Sequence, residues 1–129
     1  MSTGQSEVEC PQCEFVEADS EFDCRRLTYD VRCRRCGYTE HKGWVFDESG
    51  EACGWKAEAK FGSGALWYRG TGSNVFHWQC LWTAGAVTEA EKFLREGLAA
   101  GEVDSTVSYL TRWNEQARQI ELVLGSFYL

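Results

Sequence analysis

The chain has 129 residues, 43% of them apolar, with one Pro and 13 scattered Gly; this describes one domain, or one domain with a small metal module, and excludes collagen-like, low-complexity and wholly disordered chains. A formal net charge of −7 argues against a general nucleic-acid binder. No run approaches the ~18 apolar residues of a membrane span, and the opening MSTGQSEVEC has neither a basic patch nor an apolar core, so a soluble, cytoplasmic, reducing setting is expected, where seven Cys serve as metal ligands or buried thiols rather than disulfides.

The charge is unevenly placed. Residues 1–23 carry seven acids and no Lys or Arg. Residues 25–42 carry Arg25, Arg26, Arg32, Arg34, Arg35 and Lys42 against Asp30 and Glu40. Within this region lie Cys10-Pro11-Gln12-Cys13 and Cys33-Arg34-Arg35-Cys36, two matched pairs 19 residues apart. Thiolates suit Zn²⁺, which takes four ligands tetrahedrally in structural sites, and two such pairs at this separation are a zinc signal. Between them Leu27, Tyr29 and Val31 alternate with Arg26, Thr28, Asp30 and Arg32, the period of a strand with one apolar face. Glu14–Glu17 is read as the shorter first arm, Ala18–Glu21 as the turn, and Gly37 as the left-handed residue closing the second pair.

These residues resemble the zinc ribbon superfamily. The stretch Thr28–Tyr38, with Cys33-x-x-Cys36-Gly37-Tyr38, is similar to the second arm of ribbons in RNA polymerase small subunits, in transcription elongation factor S and in small bacterial and phage regulators. The resemblance covers residues ~8–46. It implies one structural Zn²⁺ on Cys10, Cys13, Cys33 and Cys36, and binding of DNA, RNA or protein. The elongation-factor ribbon uses an adjacent acidic pair at its tip; here Asp19, Glu21 and Asp23 are not adjacent.

Beyond residue 43 the chain is aromatic and Gly-punctuated. Segments 44–46, 54–61, 65–69 and 74–82 read as short antiparallel strands, a meander of three or four. Thr88-Glu89-Ala90-Glu91 is a capping box, and Ala90, Phe93, Leu94 and Leu98 follow at helical spacing, which predicts a helix over 89–100 ending at Gly101. Residues 103–113 favour a strand by their β-branched and aromatic content. Gln119–Leu124 alternates, with 114–117 as the hairpin turn. The apolar Phe127-Tyr128-Leu129 is expected to dock. The expected fold is therefore α+β: an N-terminal zinc ribbon hairpin (1–46) packed on a β-rich antiparallel body (47–129) with one main helix, sharing one core.

The remaining candidate ligands are Cys24, His41, Cys53, His77 and Cys80, and a second zinc would draw on Cys53, His77, Cys80 and His41. A second metal, or a His77/Cys80 dyad, needs a turn or helix at 77–80, because residues three apart on a strand face opposite ways. The plainer reading makes Cys53 and Cys80 small buried hydrophobes. Arg25, Arg26, Arg32, Arg34, Arg35 and Tyr38 are candidate contacts to nucleic acid or a partner, unless Glu14–Asp23 balance the arginines across the hairpin. No phosphate loop, nucleophile elbow or HExxH helix is present, so no catalysis is expected. The favoured function is a zinc-binding adaptor making protein contacts with transcription or other nucleic-acid machinery. The alternatives are a nucleic-acid-binding ribbon using Arg25–Arg35, an acidic inhibitor of a nucleic-acid enzyme, and a metalloenzyme at His77/Cys80.

Overall fold

The computed structural model describes residues 3–127. They form two antiparallel sheets and one helix, an α+β arrangement that is mainly β. The first sheet is a meander in chain order: β1 (Thr3–Val8), β2 (Ala18–Asp23), β3 (Thr28–Arg32), β4 (Thr39–Phe46) and β5 (Ala52–Lys60). The second contains β6 (Gly64–Arg69), β7 (Phe76–Leu81), β8 (Tyr109–Asn114) and β9 (Gln119–Gly125), in the order β7-β6-β8-β9. Helix α1 (Ala84–Ala99) connects β7 to β8. No helix among the described residues is long and apolar enough to cross a membrane.

Ala18–Glu21, expected as a turn, is strand instead, paired to β1 on one side and, through Asp19–Glu21, to β3 on the other. The turn lies at 24–27. There the Asp23 carboxylate accepts from the N–H groups of Arg25 (3.0 Å) and Arg26 (3.2 Å), and Leu27 adopts φ 54°. An Asp that gathers the N–H groups two and three residues on is strong turn chemistry. It outweighs the weaker signal of Ala-Asp-Ser-Glu, which two flanking strands hold extended.

The four expected strands of 44–82 are present but do not form one meander. β4 and β5 extend the N-terminal sheet, with Trp44 opposite Trp55, whereas β6 and β7 open the second sheet. The first sheet therefore runs through Lys60, and the chain changes sheets across Phe61–Ser63. Strand pairing is a long-range property, invisible in the alternation of either strand.

The helix begins five residues before the expected Glu89. Thr83, in extended conformation, is the N-cap, and its hydroxyl accepts from the Ala86 N–H at 3.1 Å. The capping box at Thr88 is not used, and its hydroxyl instead bonds the Ala84 carbonyl one turn back (3.1 Å). Packing decides between the two starts: Val87 joins Ala90 and Leu94 on the buried stripe, which an N-cap at Thr88 would have wasted. The helix stops at Ala100, and Gly101 follows at φ 71°.

Of 103–113, only Tyr109 onwards is β8. Val103 makes an isolated bridge to Gly70, and the Asp104 carboxylate gathers the Thr106 N–H and hydroxyl into a turn. The hairpin from Asn114 to Gln119 is as expected. Phe127 packs edge-on to Tyr109 at 5.0 Å; Tyr128 and Leu129 lie outside the described residues.

Two apolar clusters hold the chain. One lies between α1 and the second sheet and contains Leu66, Leu81, Val87, Ala90, Leu94, Val103 and Leu110. The other surrounds Cys10, Cys33 and Cys36 with Ala18, Val31 and Tyr38, and takes in Trp113 of β8 and Ile120 of β9. The second sheet thus contributes to the core of the first.

Candidate metal centre

Each cysteine pair sits on a tight turn, and the two turns are built alike. In the first, the Cys10 N–H donates to the Phe15 carbonyl (2.8 Å) and the Glu14 N–H to the Cys10 carbonyl (2.9 Å). In the second, the Cys33 N–H donates to Tyr38 (2.9 Å) and the Gly37 N–H to Cys33 (3.0 Å). The residue after each pair has positive φ, 66° at Glu14 and 84° at Gly37. The Gln12 and Arg35 N–H groups point at the Cys10 and Cys33 sulfurs, each at 3.4 Å. Such amides stabilise thiolate.

Facing each other, the turns bring four Sγ atoms within 4.8 Å of one another, with Cys10–Cys36 and Cys13–Cys33 both at 3.5 Å. A tetrahedral zinc with Zn–S of about 2.3 Å needs sulfurs about 3.8 Å apart, so the cluster has the size for one ion. Cys10, Cys33 and Cys36 are buried and Cys13 is half-buried. The thiols compete for protons: hydrogen bonding, led by Cys13, pulls Cys10 well below the usual thiol range, while hydrogen bonding led by Cys10, with burial, pushes Cys36 far above it. A dication among them removes that conflict by letting all four ionise. An all-thiol set is a soft donor set and fits zinc.

The second turn is fastened to the second sheet. Tyr109 donates its hydroxyl to the Arg34 carbonyl (2.9 Å), Thr111 to Arg35 (2.5 Å), and the Trp82 indole N–H to Gly37 (3.1 Å). The first turn is fastened by Gln12. Its buried side chain donates to the Gly62 carbonyl (2.9 Å) and accepts from the Gly62 N–H (2.8 Å), as a strand backbone would. Nothing in the sequence singled out these residues. Their partners lie 45 to 76 positions away, and a Gln inside a C-x-x-C pair reads locally as an exposed spacer.

The other expected ligands are not brought together. Among the described residues, the four-cysteine cluster is the only group of three or more His, Cys, Asp or Glu at metal-binding distance. His77 and Cys80 lie on the regular strand β7 and face opposite ways: His77 stacks on Tyr68 (5.1 Å), and the Cys80 sulfur approaches the Cys33 carbonyl at 3.8 Å. Burial first, then the neighbouring Cys33, pushes the Cys80 thiol up to about 12. Cys53 is exposed on β5, in the other sheet, with its thiol on the Val45 carbonyl (3.2 Å), and His41 bonds Asp30 (2.6 Å). Cys80 therefore backs the second cysteine turn, and among the described residues it joins no second ligand cluster.

The arginines have different surroundings. Arg25 and Arg26 are exposed at the β2–β3 turn. Arg32 lies over Trp78 (5.5 Å). Arg34 pairs with Glu17 (3.6 Å) and Asp19 (3.9 Å) and packs on Phe15 and Trp67. Arg35 lies over Phe127 at 4.0 Å and Phe15 at 4.8 Å. Tyr38 is buried, its hydroxyl on Glu40 (3.1 Å), so it offers no stacking surface. Asp19 and Glu21 lie along β2 and Asp23 caps the turn, so the tip presents bases and not an acidic pair.

Far from the cysteines the first sheet exposes aromatic surface. Phe22, Tyr29, Lys42 and Ala57 stand in one cross-strand row, with Trp55 beside them, around a shallow groove of about 490 Å³. Phe22 is 40% exposed, Trp55 49% and Phe46 51%. Comparison with protein-family models, with curated proteins and with solved structures gave no match.

Proposed function

We propose that the chain is a zinc-binding adaptor. One structural Zn²⁺ on Cys10, Cys13, Cys33 and Cys36 braces a ribbon-like hairpin, and the chain acts by contacting a protein partner. The observation that carries this reading is the set of four thiols within 4.8 Å. A metal with four protein thiolates keeps no coordination position for water or substrate, which is the mark of structural rather than catalytic zinc. We assign binding, not catalysis, on that ground.

The contact surface we assign is the aromatic end of the first sheet, around Phe22, Tyr29 and Phe46. Exposed aromatic clusters of this kind mark interfaces. The partner belongs, on this reading, to transcription or other nucleic-acid machinery, the setting of the ribbons that Thr28–Tyr38 resembles. Direct nucleic-acid binding is less well supported, because Arg34 is engaged by Glu17 and Asp19 and Arg32 covers Trp78.

The first test is metal content. Elemental analysis of the purified chain should find one zinc per chain, and Cys33→Ser should lose it together with stability, because metal-binding energy at such a site is folding energy. Full zinc occupancy and an unchanged melting curve in Cys33→Ser would overturn the assignment. Phe22→Asp, at an exposed position, should keep zinc and melting temperature but lose capture of the partner that the wild-type chain retains from its source cell.

A further inference from the structure

The outer edge of β5 has no strand beside it among the described residues, and every residue from Ala52 to Lys60 except Gly54 is exposed. An edge this long, without Pro, is a template for another strand. Its side chains alternate: Lys56, Glu58 and Lys60 stand on one face, and Trp55, Ala57 and Ala59 on the other. From this pattern we infer that β5 pairs antiparallel with β5 of a second copy, joining two five-stranded sheets into one about a two-fold axis at Ala57.

The register follows from the residues. A two-fold axis normal to the sheet keeps each side chain on its own face, so the axis must pass through a residue, and a one-residue slip is excluded by the pleat. Centred on Ala57, the pairing runs from Gly54 to Lys60. It sets Lys56 opposite Glu58 of the partner and Glu58 opposite the partner's Lys56. Centred on Lys56 or Glu58, it sets like charges against each other, which is destabilising. Centred on Trp55 it has no opposite-charge pair, and centred on Ala59 it runs past the end of the strand. On the other face, the Ala57 axis places Trp55 opposite the small side chain of the partner's Ala59, where an indole has room.

The contact is isologous, so it closes at two copies. Because the pairing sets Lys60 opposite the partner's Gly54 and the chain enters the second sheet just after Lys60, the two chains leave the paired strands at opposite ends. The other described sheet edges are less suited. β1 carries Glu7 and no base, β7 has no Lys, Arg, Asp or Glu, and the one charge of β9, Glu121, is held by Arg112 and Asn114.

Charge reversal tests this directly. Sedimentation velocity of the zinc-loaded chain should show a concentration-dependent species of twice 14.6 kDa. Lys56→Glu and Glu58→Lys each turn two attractive contacts across the axis repulsive, together with the exposed pair that Lys56 and Glu58 make within one chain at 3.5 Å, and each should raise the dimer Kd about tenfold or more. The double variant Lys56→Glu/Glu58→Lys should restore dimerisation. An equimolar mixture of the two single variants should also form a dimer, because every contact between them is again of opposite sign. Both positions are exposed, so zinc content and circular dichroism should be unchanged in all four proteins. A wild-type chain that stays monomeric at the highest soluble concentration overturns the inference. So do single variants that associate as wild type, or a mixture that does not recover.

Discussion

Glu14 and Gly37 occupy equivalent places in the two cysteine turns, yet only one of them is glycine. A left-handed residue with a side chain costs about 1–2 kcal/mol, partly offset by the roughly 0.5–1 kcal/mol of chain entropy that glycine loses on folding. Glu14→Gly should therefore stabilise the zinc-loaded chain by about 0.5–1 kcal/mol in denaturant unfolding. Gly37→Ala should do the reverse, and far more strongly. Gly37 has φ 84°, and an added Cβ would run into the Gly64 carbonyl oxygen. The combined clash and strain should cost about 3 kcal/mol. The difference comes from what lies behind each turn: Glu14 is exposed, whereas Gly37 is pressed against β6.

At the scale of elements, the crossing between sheets depends on Gln12. Gln12→Ala leaves the buried N–H and carbonyl of Gly62 without their partners, and should cost about 2–4 kcal/mol at unchanged zinc stoichiometry. The start of α1 supplies a paired test. Thr83→Ala removes the N-cap and should cost about 1 kcal/mol, whereas Thr88→Ala should stay within about 0.5 kcal/mol, both read by chemical denaturation. Features set by neighbouring residues were legible in the sequence: the cysteine turns, the β8–β9 hairpin, the strand period through Tyr29 and Val31 (but not Leu27, which lies in the turn), the helical stripe through Ala90 and Leu94. Features set by distant partners were not. Thr3–Val8 has no apolar alternation and is a strand because β2 lies beside it. β5 is small and polar but for Trp55, so nothing local tied it to β4. Thr83 and Thr88 are both plausible caps, and the choice rests on burying Val87. The four clustered cysteines follow from spacing, but the side chains that back them do not, since Tyr109, Thr111 and Trp82 reach the turn from 45 to 76 positions away.

Across the whole molecule, those backing contacts join the four-cysteine site to both sheets. Tyr109 and Thr111 on β8 and Trp82 beyond β7 hold carbonyls of the second turn, and Trp113 sits in the core around the cysteines. Metal and body should therefore unfold together. Chelation should lower the midpoint of one transition, seen alike in far-ultraviolet dichroism and in tryptophan fluorescence; separate transitions for the two probes would show independent sheets. Acidification acts in the same direction, since the ligands must be deprotonated to hold metal, and occupancy should fall as pH falls.

The Trp82 indole bonds the carbonyl of Gly37, next to Cys36, while the Lys60 ammonium lies 4.4 Å from the centre of its ring. Trp82 is 44% exposed, and its emission is sensitive to both the hydrogen bond and the cation. The protein consequently carries its own optical gauge of the second turn. Titrating zinc into the stripped chain should shift the emission to saturation at one equivalent, and Trp82→Phe should reduce that shift while five other indoles remain, Trp113 in the core around the cysteines among them.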